Sequence, residues 1–200
     1  MRGRVYGAPA GSLLGADAVF GSADRNRVGA GGELRTAVLL DQLSAAENGP
    51  TVLHDLRIPD AHANIDHAVV SGRTVWLVDT KVWRPGFYVT LGERTWRTGG
   101  PGRMLERFGA GEKRTMPLAT RRVTEYLEAV GLHANVGGAV VVVWPSSESA
   151  AAKPLRLWAY RPAGACAVVG ARALSALRQA RRPADPFVVA ALTPLLIGGR

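Results

Sequence analysis

Apolar and polar positions along this 200-residue chain fall into stretches of different period, and each period predicts an element. Residues 1–28 have no sustained period, are rich in Gly and Ala with scattered Arg, and read as a flexible leader. After Gly29-Ala30-Gly31-Gly32, the residues Leu34, Ala37, Val38 and Leu43 recur at helical spacing, predicting a helix that stops at Asn48-Gly49-Pro50. Residues 51–58, 64–70 and 74–82 are rich in Val, Ile, Leu and Trp and read as strands, followed by a turn and a further strand to residue 89. Residues 92–115 are polar, Gly-rich and basic, which predicts a mobile loop. Val123, Tyr126, Leu127 and Val130 give a second helix over 117–130, and the apolar run 136–144 reads as a buried central strand. Two more strands (155–160 and 165–169), a basic helix (171–182) and a hydrophobic tail (187–197) complete the chain. The expected fold class is α/β: a mixed β-sheet flanked by helices over 29–148, with a short appended strand–strand–helix unit in 149–200 packed on that core.

One predicted hairpin carries more than structure. Ser71-Gly72-Arg73-Thr74 suits a two-residue turn with Gly at its first central position. If Ser71 pairs with Thr74, counting back sets Asp66 opposite Asp79, with Cβ atoms about 5 Å apart, an unfavourable arrangement for like charges. Side chains alternate along a strand, so Asp79 and Lys81 share a face while Val78 and Thr80 point away. Two carboxylates and an ammonium converging on one point suit a hard divalent cation beside a cationic group.

Composition sharpens this reading. The formal charge of +9 favours polyanionic partners, nucleic acid or an anionic membrane surface. Arg outnumbers Lys so heavily (only Lys81, Lys113 and Lys153) that Lys81 stands out, and Arg grips phosphate bidentately. A single cysteine, Cys166, excludes an intrachain disulfide and a Cys-rich zinc site, and its apolar surroundings predict a buried strand position. The start of the chain makes a poor signal-peptide core, and the run 187–197 is broken by Thr193 and Pro194 and too short to span a bilayer. These features predict a cytoplasmic protein with no membrane partner.

A helix bearing an acid, then Asp66, then Asp79-x-Lys81 on a mixed sheet resembles the restriction-endonuclease-like superfamily, whose motif is written PD-(D/E)-x-K. Gly32-Glu33, Val52-Leu53-His54-Asp55-Leu56, Asn64-Ile65-Asp66-His67 and Val78-Asp79-Thr80-Lys81-x-Trp83 together resemble the nuclease-related domain, NERD. The resemblance is good over residues 29–90 and extends more weakly through 117–130 and 138–144. It implies a Mg2+ (or Mn2+)-dependent phosphodiesterase acting on nucleic acid, most readily DNA. Glu33 would be the outer acid, Asp66 and Asp79 metal ligands helped by the Thr80 carbonyl, and Lys81 the group that orients water and meets developing phosphate charge. The Asn-Pro and Gln common in the family correspond here to Met116-Pro117 and Thr120.

Arg94, Arg97, Arg103, Arg107, Lys113 and Arg114 in the expected loop, with Arg121 and Arg122 on the second helix, are candidate phosphate contacts. Arg178, Arg181 and Arg182 are further candidates. Simpler roles compete: Glu33 could complement a helix dipole, His67 should point to the far face and serve packing, His54 and His62 lack a ligand spacing, and Trp83 could stack on a base or cap the core. A non-catalytic nucleic-acid-binding protein on the same scaffold is the alternative.

Overall fold

The computed structural model describes residues 2–14, 23–99, 104–146 and 154–198. Its main sheet runs in the order β1 (Val5–Tyr6), β2 (Thr51–Arg57), β3 (Asn64–Ser71), β4 (Thr74–Trp83), β8 (Asn135–Pro145), β10 (Cys166–Val169). β2–β3–β4 is an antiparallel meander, while β1, β8 and β10 join in parallel, so the sheet is mixed as expected. A second sheet has the order β7 (Glu106–Arg107), β6 (Arg94–Thr98), β5 (Gly86–Leu91), β9 (Leu155–Ala159). The helices are α1 (Gly11–Leu14), α2 (Ala23–Ala45), α3 (Thr115–Ala129), α4 (Ala173–Ala176) and α5 (Pro186–Leu192).

Strand alternation sorts the core into two layers. Val52, Val69, Val78, Val140 and Val142 face α2 (Leu40, Leu43) and the α4 region (Ala173, Leu177, Ala180). Leu53, Val70, Leu77, Val141 and Val143 face α3 (Met116, Ala119, Val123, Leu127), α5 (Val188, Val189, Leu192) and the inner side of the second sheet.

Several expectations are corrected. Val5–Tyr6, in the segment read as a leader, pairs with β2, and α2 begins ten residues before Glu33, running through Gly29, Gly31 and Gly32. Gly is a poor helix former, but a Cβ on Gly32 would stand 2.4 Å from Val82 Cγ2, so the close approach of α2 to β4 requires it. The buried face of α2 is Glu33, Thr36, Ala37, Leu40 and Leu43, whereas Leu34 and Val38 of the expected stripe are exposed. The stretch 92–115 is not one loop: β6, β7 and a 3-10 turn at Gly109–Glu112 lie within it. Strands β9 and β10 enter different sheets, and the basic helix expected over 171–182 is only the single turn α4 flanked by a 3-10 turn. Cys166 lies on the outer strand β10 and is exposed, not buried.

Candidate active site

The hairpin register is Ser71↔Thr74 at the turn and runs to His67↔Val78. Gly72 supplies the positive φ (56°) that the turn's first central position demands. The next step of this register would set Asp66 against Asp79. There the Asp66 carboxylate turns onto the neighbouring strand instead, and Oδ2 accepts the Thr80 N–H at 2.5 Å. Asp66 and Asp79 are each 6 % exposed. Lys81 donates from Nζ to Asp79 Oδ1 at 2.6 Å and to the Thr80 carbonyl at 3.3 Å. Its ammonium therefore sits between two of the three groups expected to hold a metal.

Glu33 reaches this cluster from the helix. Gly32 lets α2 lie on β4, and Thr36 fixes the register of that contact: its hydroxyl donates to the Gly32 carbonyl and accepts from Thr80 Oγ1 (3.0 Å) and Trp144 Nε1 (2.9 Å). Glu33 is buried, and its Oε2 has no hydrogen-bond partner.

The charges act on one another. Burial, then the charges of Asp66 and Asp55, push the Glu33 carboxyl up to about 9. Burial and the charge of Asp79 push Asp66 up to about 7, opposed by Lys81 and the Thr80 N–H. Burial alone would lower Lys81, but Asp79 and Asp66 outweigh it and hold the ammonium above its ordinary value. At neutral pH the site thus carries a neutral Glu33, a partly protonated Asp66 and a charged Lys81.

A cavity of about 20 Å³ opens beside Asp79 and Lys81, room for about one water-sized guest. Tyr160, Lys113, Thr115 and Met116 also line it. Tyr160, on the inner side of the second sheet, donates to the Gly111 carbonyl, and burial and Asp79 push its phenol up to about 12. Trp83 caps the core: its ring lies 4.8–5.1 Å from Phe108, Tyr88 and Tyr160. Neither Thr115 nor Tyr160 gives any local sequence signal for the site. Met116 is at the cavity wall, and Thr120 is not among the residues lining it.

The donors fit a hard cation of few protein ligands: two carboxylates, a carbonyl already facing an ammonium, and an unpartnered buried carboxylate oxygen in Glu33. Among the described residues no three His, Cys, Asp or Glu side chains stand close enough to enclose a metal by themselves. His67 faces the other way, as its strand parity requires. Its Nδ1 lies 2.8 Å from His54 Nδ1, and His54 Nε2 lies 3.0 Å from Asp41. Burial keeps both imidazoles below their ordinary pKa, so His54 donates to Asp41 and accepts from His67.

The basic candidates are dispersed. Lys113 lines the cavity. Arg97 pairs with Glu106, Arg107 with Glu112 at 2.9 Å, and Arg114 with Glu93 at 2.6 Å. Arg121 and Arg122 both face Glu125 on α3. Arg94 is exposed on β6, and Arg103 lies outside the described residues. Asp55 is a residue the motif reading passed over as chemistry. It occupies a bulge between His54↔His67 and Leu56↔Ile65 with φ of 56°, and its carboxylate accepts from Ser12 N and Asn64 Nδ2.

No helix among the described residues is long and apolar enough to cross a membrane. No curated protein and no solved structure matches the chain significantly. A family model described as the nuclease-related domain matches residues 28–142, a span that holds Glu33, Asp66, Asp79 and Lys81 and more than half of the chain, which therefore belongs to the nuclease-related domain family.

Proposed function

We propose that this protein is a divalent-metal-dependent nuclease that hydrolyses phosphodiester bonds in nucleic acid, with DNA the preferred substrate and the cytoplasm its compartment. The observation that carries the reading is the buried cluster of Asp66, Asp79 and Lys81, the last two of which line a cavity sized for one small guest. Asp66, Asp79 and the Thr80 carbonyl would hold Mg2+ or Mn2+. Such an ion, when bound, acidifies a coordinated water and neutralises charge on the scissile phosphate.

The chain's own groups do the rest. Lys81 keeps its proton, so it meets the phosphate as a positioned cation and does not act as a base. Asp66 must give up the proton that burial and Asp79 lend it before it can ligate. Glu33, neutral at pH 7, would serve the site as a proton reservoir. Lys113 at the cavity wall adds a second cation toward the substrate backbone.

Supercoiled, linear and single-stranded DNA, and RNA, are incubated with magnesium, manganese or a chelator, beside Asp79→Asn and Lys81→Ala. Metal-dependent cutting abolished in both variants is the expected result. Absence of cutting by the wild type, with nucleic-acid binding unchanged in both variants, would leave a non-catalytic binding scaffold.

A further inference from the structure

The positive charge of the chain is unevenly placed. Residues 149–200 hold eight of its 25 basic residues but only one of its 16 acids, Asp185, so they contribute seven of the nine net charges. The segment matched by the family model is close to neutral, and five of its arginines proposed above as phosphate contacts are paired with glutamates (Arg97, Arg107, Arg114, Arg121, Arg122). The surplus that could hold a polyanion therefore lies outside the nuclease-related segment.

Part of it sits around an aromatic surface. On β9, Leu157 points into the core, so Arg156 and Trp158 both point out, and Trp158 is 70 % exposed. Arg156 pairs with Phe87 of β5, its guanidinium 5.4 Å from the Phe87 ring centre, and Phe87 stands edge-on to Trp158 at 6.4 Å. Register extends this outer face across the sheet. Val89 pairs with Trp96 and Leu91 with Arg94, while Tyr88 and Thr95, of opposite parity, are buried inward. One face of the second sheet thus displays Phe87, Trp96 and Trp158 with Arg94 and Arg156. Arg156 forms no ion pair with a described residue, and Arg94 feels only the longer-range charge of Glu112.

Beside Trp158 runs an open groove of about 550 Å³ walled by Arg156, Arg161 and Arg172. Arg161 is followed directly by Pro162 and Ala163, which line the cavity holding Asp79 and Lys81. The wall of the groove is thus continuous in sequence with the wall of the catalytic cavity.

We infer that the outer face of the second sheet, centred on Trp158 and Arg156, is a platform for single-stranded nucleic acid that feeds the candidate active site; the inference rests on the nuclease reading and narrows its substrate to an unpaired strand. Exposed aromatic rings on a sheet offer π-faces to unpaired bases, and unpaired arginines track the phosphates between them. A duplex hides its base faces and would be left with the charges alone. An anionic membrane shares the charge complementarity, but half-buried rings interleaved with arginines, with Trp158 alone standing well out, suit stacking better than insertion.

The test measures binding in chelator, where no cutting occurs, with the full chain. Labelled oligothymidylate, oligouridylate, a duplex of equal length and phosphatidylserine vesicles are the probes. The wild type should bind either single strand more tightly than the duplex. Trp158→Ala should weaken that binding roughly five- to 100-fold, Trp158→Phe should restore most of it, and Arg156→Ala should lower its salt dependence. Because Trp158 is exposed, the variant should keep the wild-type Tm, which is checked in parallel. Single-strand affinity unmoved by Trp158→Ala, preference for the duplex, or vesicle binding that alone depends on Trp158 would each overturn the platform. Metal-dependent cutting with binding indifferent to Trp158 would overturn the platform while sparing the nuclease. Trp158-dependent binding by a protein that never cuts would do the reverse.

Discussion

Glu33→Gln should gain stability on the wild type as pH rises, because it replaces a buried acid that the fold keeps neutral. In the folded chain this carboxyl titrates at about 9, against an ordinary value of 4.5. The folded state therefore keeps a proton that the unfolded chain releases above pH 4.5. Stability falls with rising pH from 4.5 to about 9 and levels off beyond. At pH 7 the loss spans 2.5 pH units, about 3.5 kcal/mol at about 1.4 kcal/mol per unit. Gln cannot ionise and removes that slope. Its amide adds donors that the site leaves unpaired, a pH-independent penalty of about 1–3 kcal/mol, so the slope and not the offset carries the information. Urea unfolding of both proteins at intervals from pH 5 to 9, in chelator, reads the difference directly. The variant should gain on the wild type by roughly 1 kcal/mol per pH unit. A difference that stays constant, or shrinks as pH rises, would refute the account of Glu33 as a neutral buried acid.

Three further outcomes follow from the same geometry. Gly32→Ala gains about 1 kcal/mol of helix propensity but forces a methyl against the stiff Val82 side chain, an overpacking cost of about 1–3 kcal/mol; Tm should fall, and adding Val82→Ala should recover it. Thr36→Val strands Thr80 Oγ1 and Trp144 Nε1, each a loss of about 1–3 kcal/mol, whereas Thr36→Ser keeps the hydroxyl; a Ser variant as unstable as Val in a denaturant titration would contradict this. Magnesium should bind more tightly as pH rises through 7, because Asp66 must shed its proton; calorimetry in buffers of different ionisation enthalpy should detect the released proton, and pH-independent affinity would count against Asp66 as a ligand.

What the chain disclosed in advance depended on whether the signal was local. The hairpin was readable from its turn to His67↔Val78 because turn chemistry fixes the register, and strand parity sets which face Asp66, Asp79 and Lys81 share. The run at β8 was readable because a strand covered on both faces is apolar throughout. The helix stripe held at Ala37 and Leu43 but failed at Leu34 and Val38 for an instructive reason. Hydrophobic periodicity finds faces buried against oil, and α2 buries Glu33 and Thr36 against a polar site while leaving Leu34 and Val38 in water. The second sheet was hidden by composition: β6 reads Arg-Thr-Trp-Arg-Thr, a polar run whose strand character comes from pairing with β5. Tyr160 and Thr115 reach the cavity from distant segments, and nothing near them in sequence says so.

The parallel pairing of β4 with β8 has a consequence for the order in which the molecule forms. Asp66 and Asp79 meet on a hairpin, which closes within about 1–10 μs, and at that stage their repulsion is screened by water. Lys81 finds its strand partner only at Val143, and Tyr160 lies further along the chain. Crossover pairings of this kind are slow, since a long loop must be closed before any contact rewards it. The clash between the two carboxylates is therefore mild while the chain is assembling and stronger once β8 and the second sheet have shut out solvent, where Asp66 answers it by holding a proton. Where that burial follows the rate-limiting barrier, the acids hasten unfolding and leave the folding rate nearly untouched.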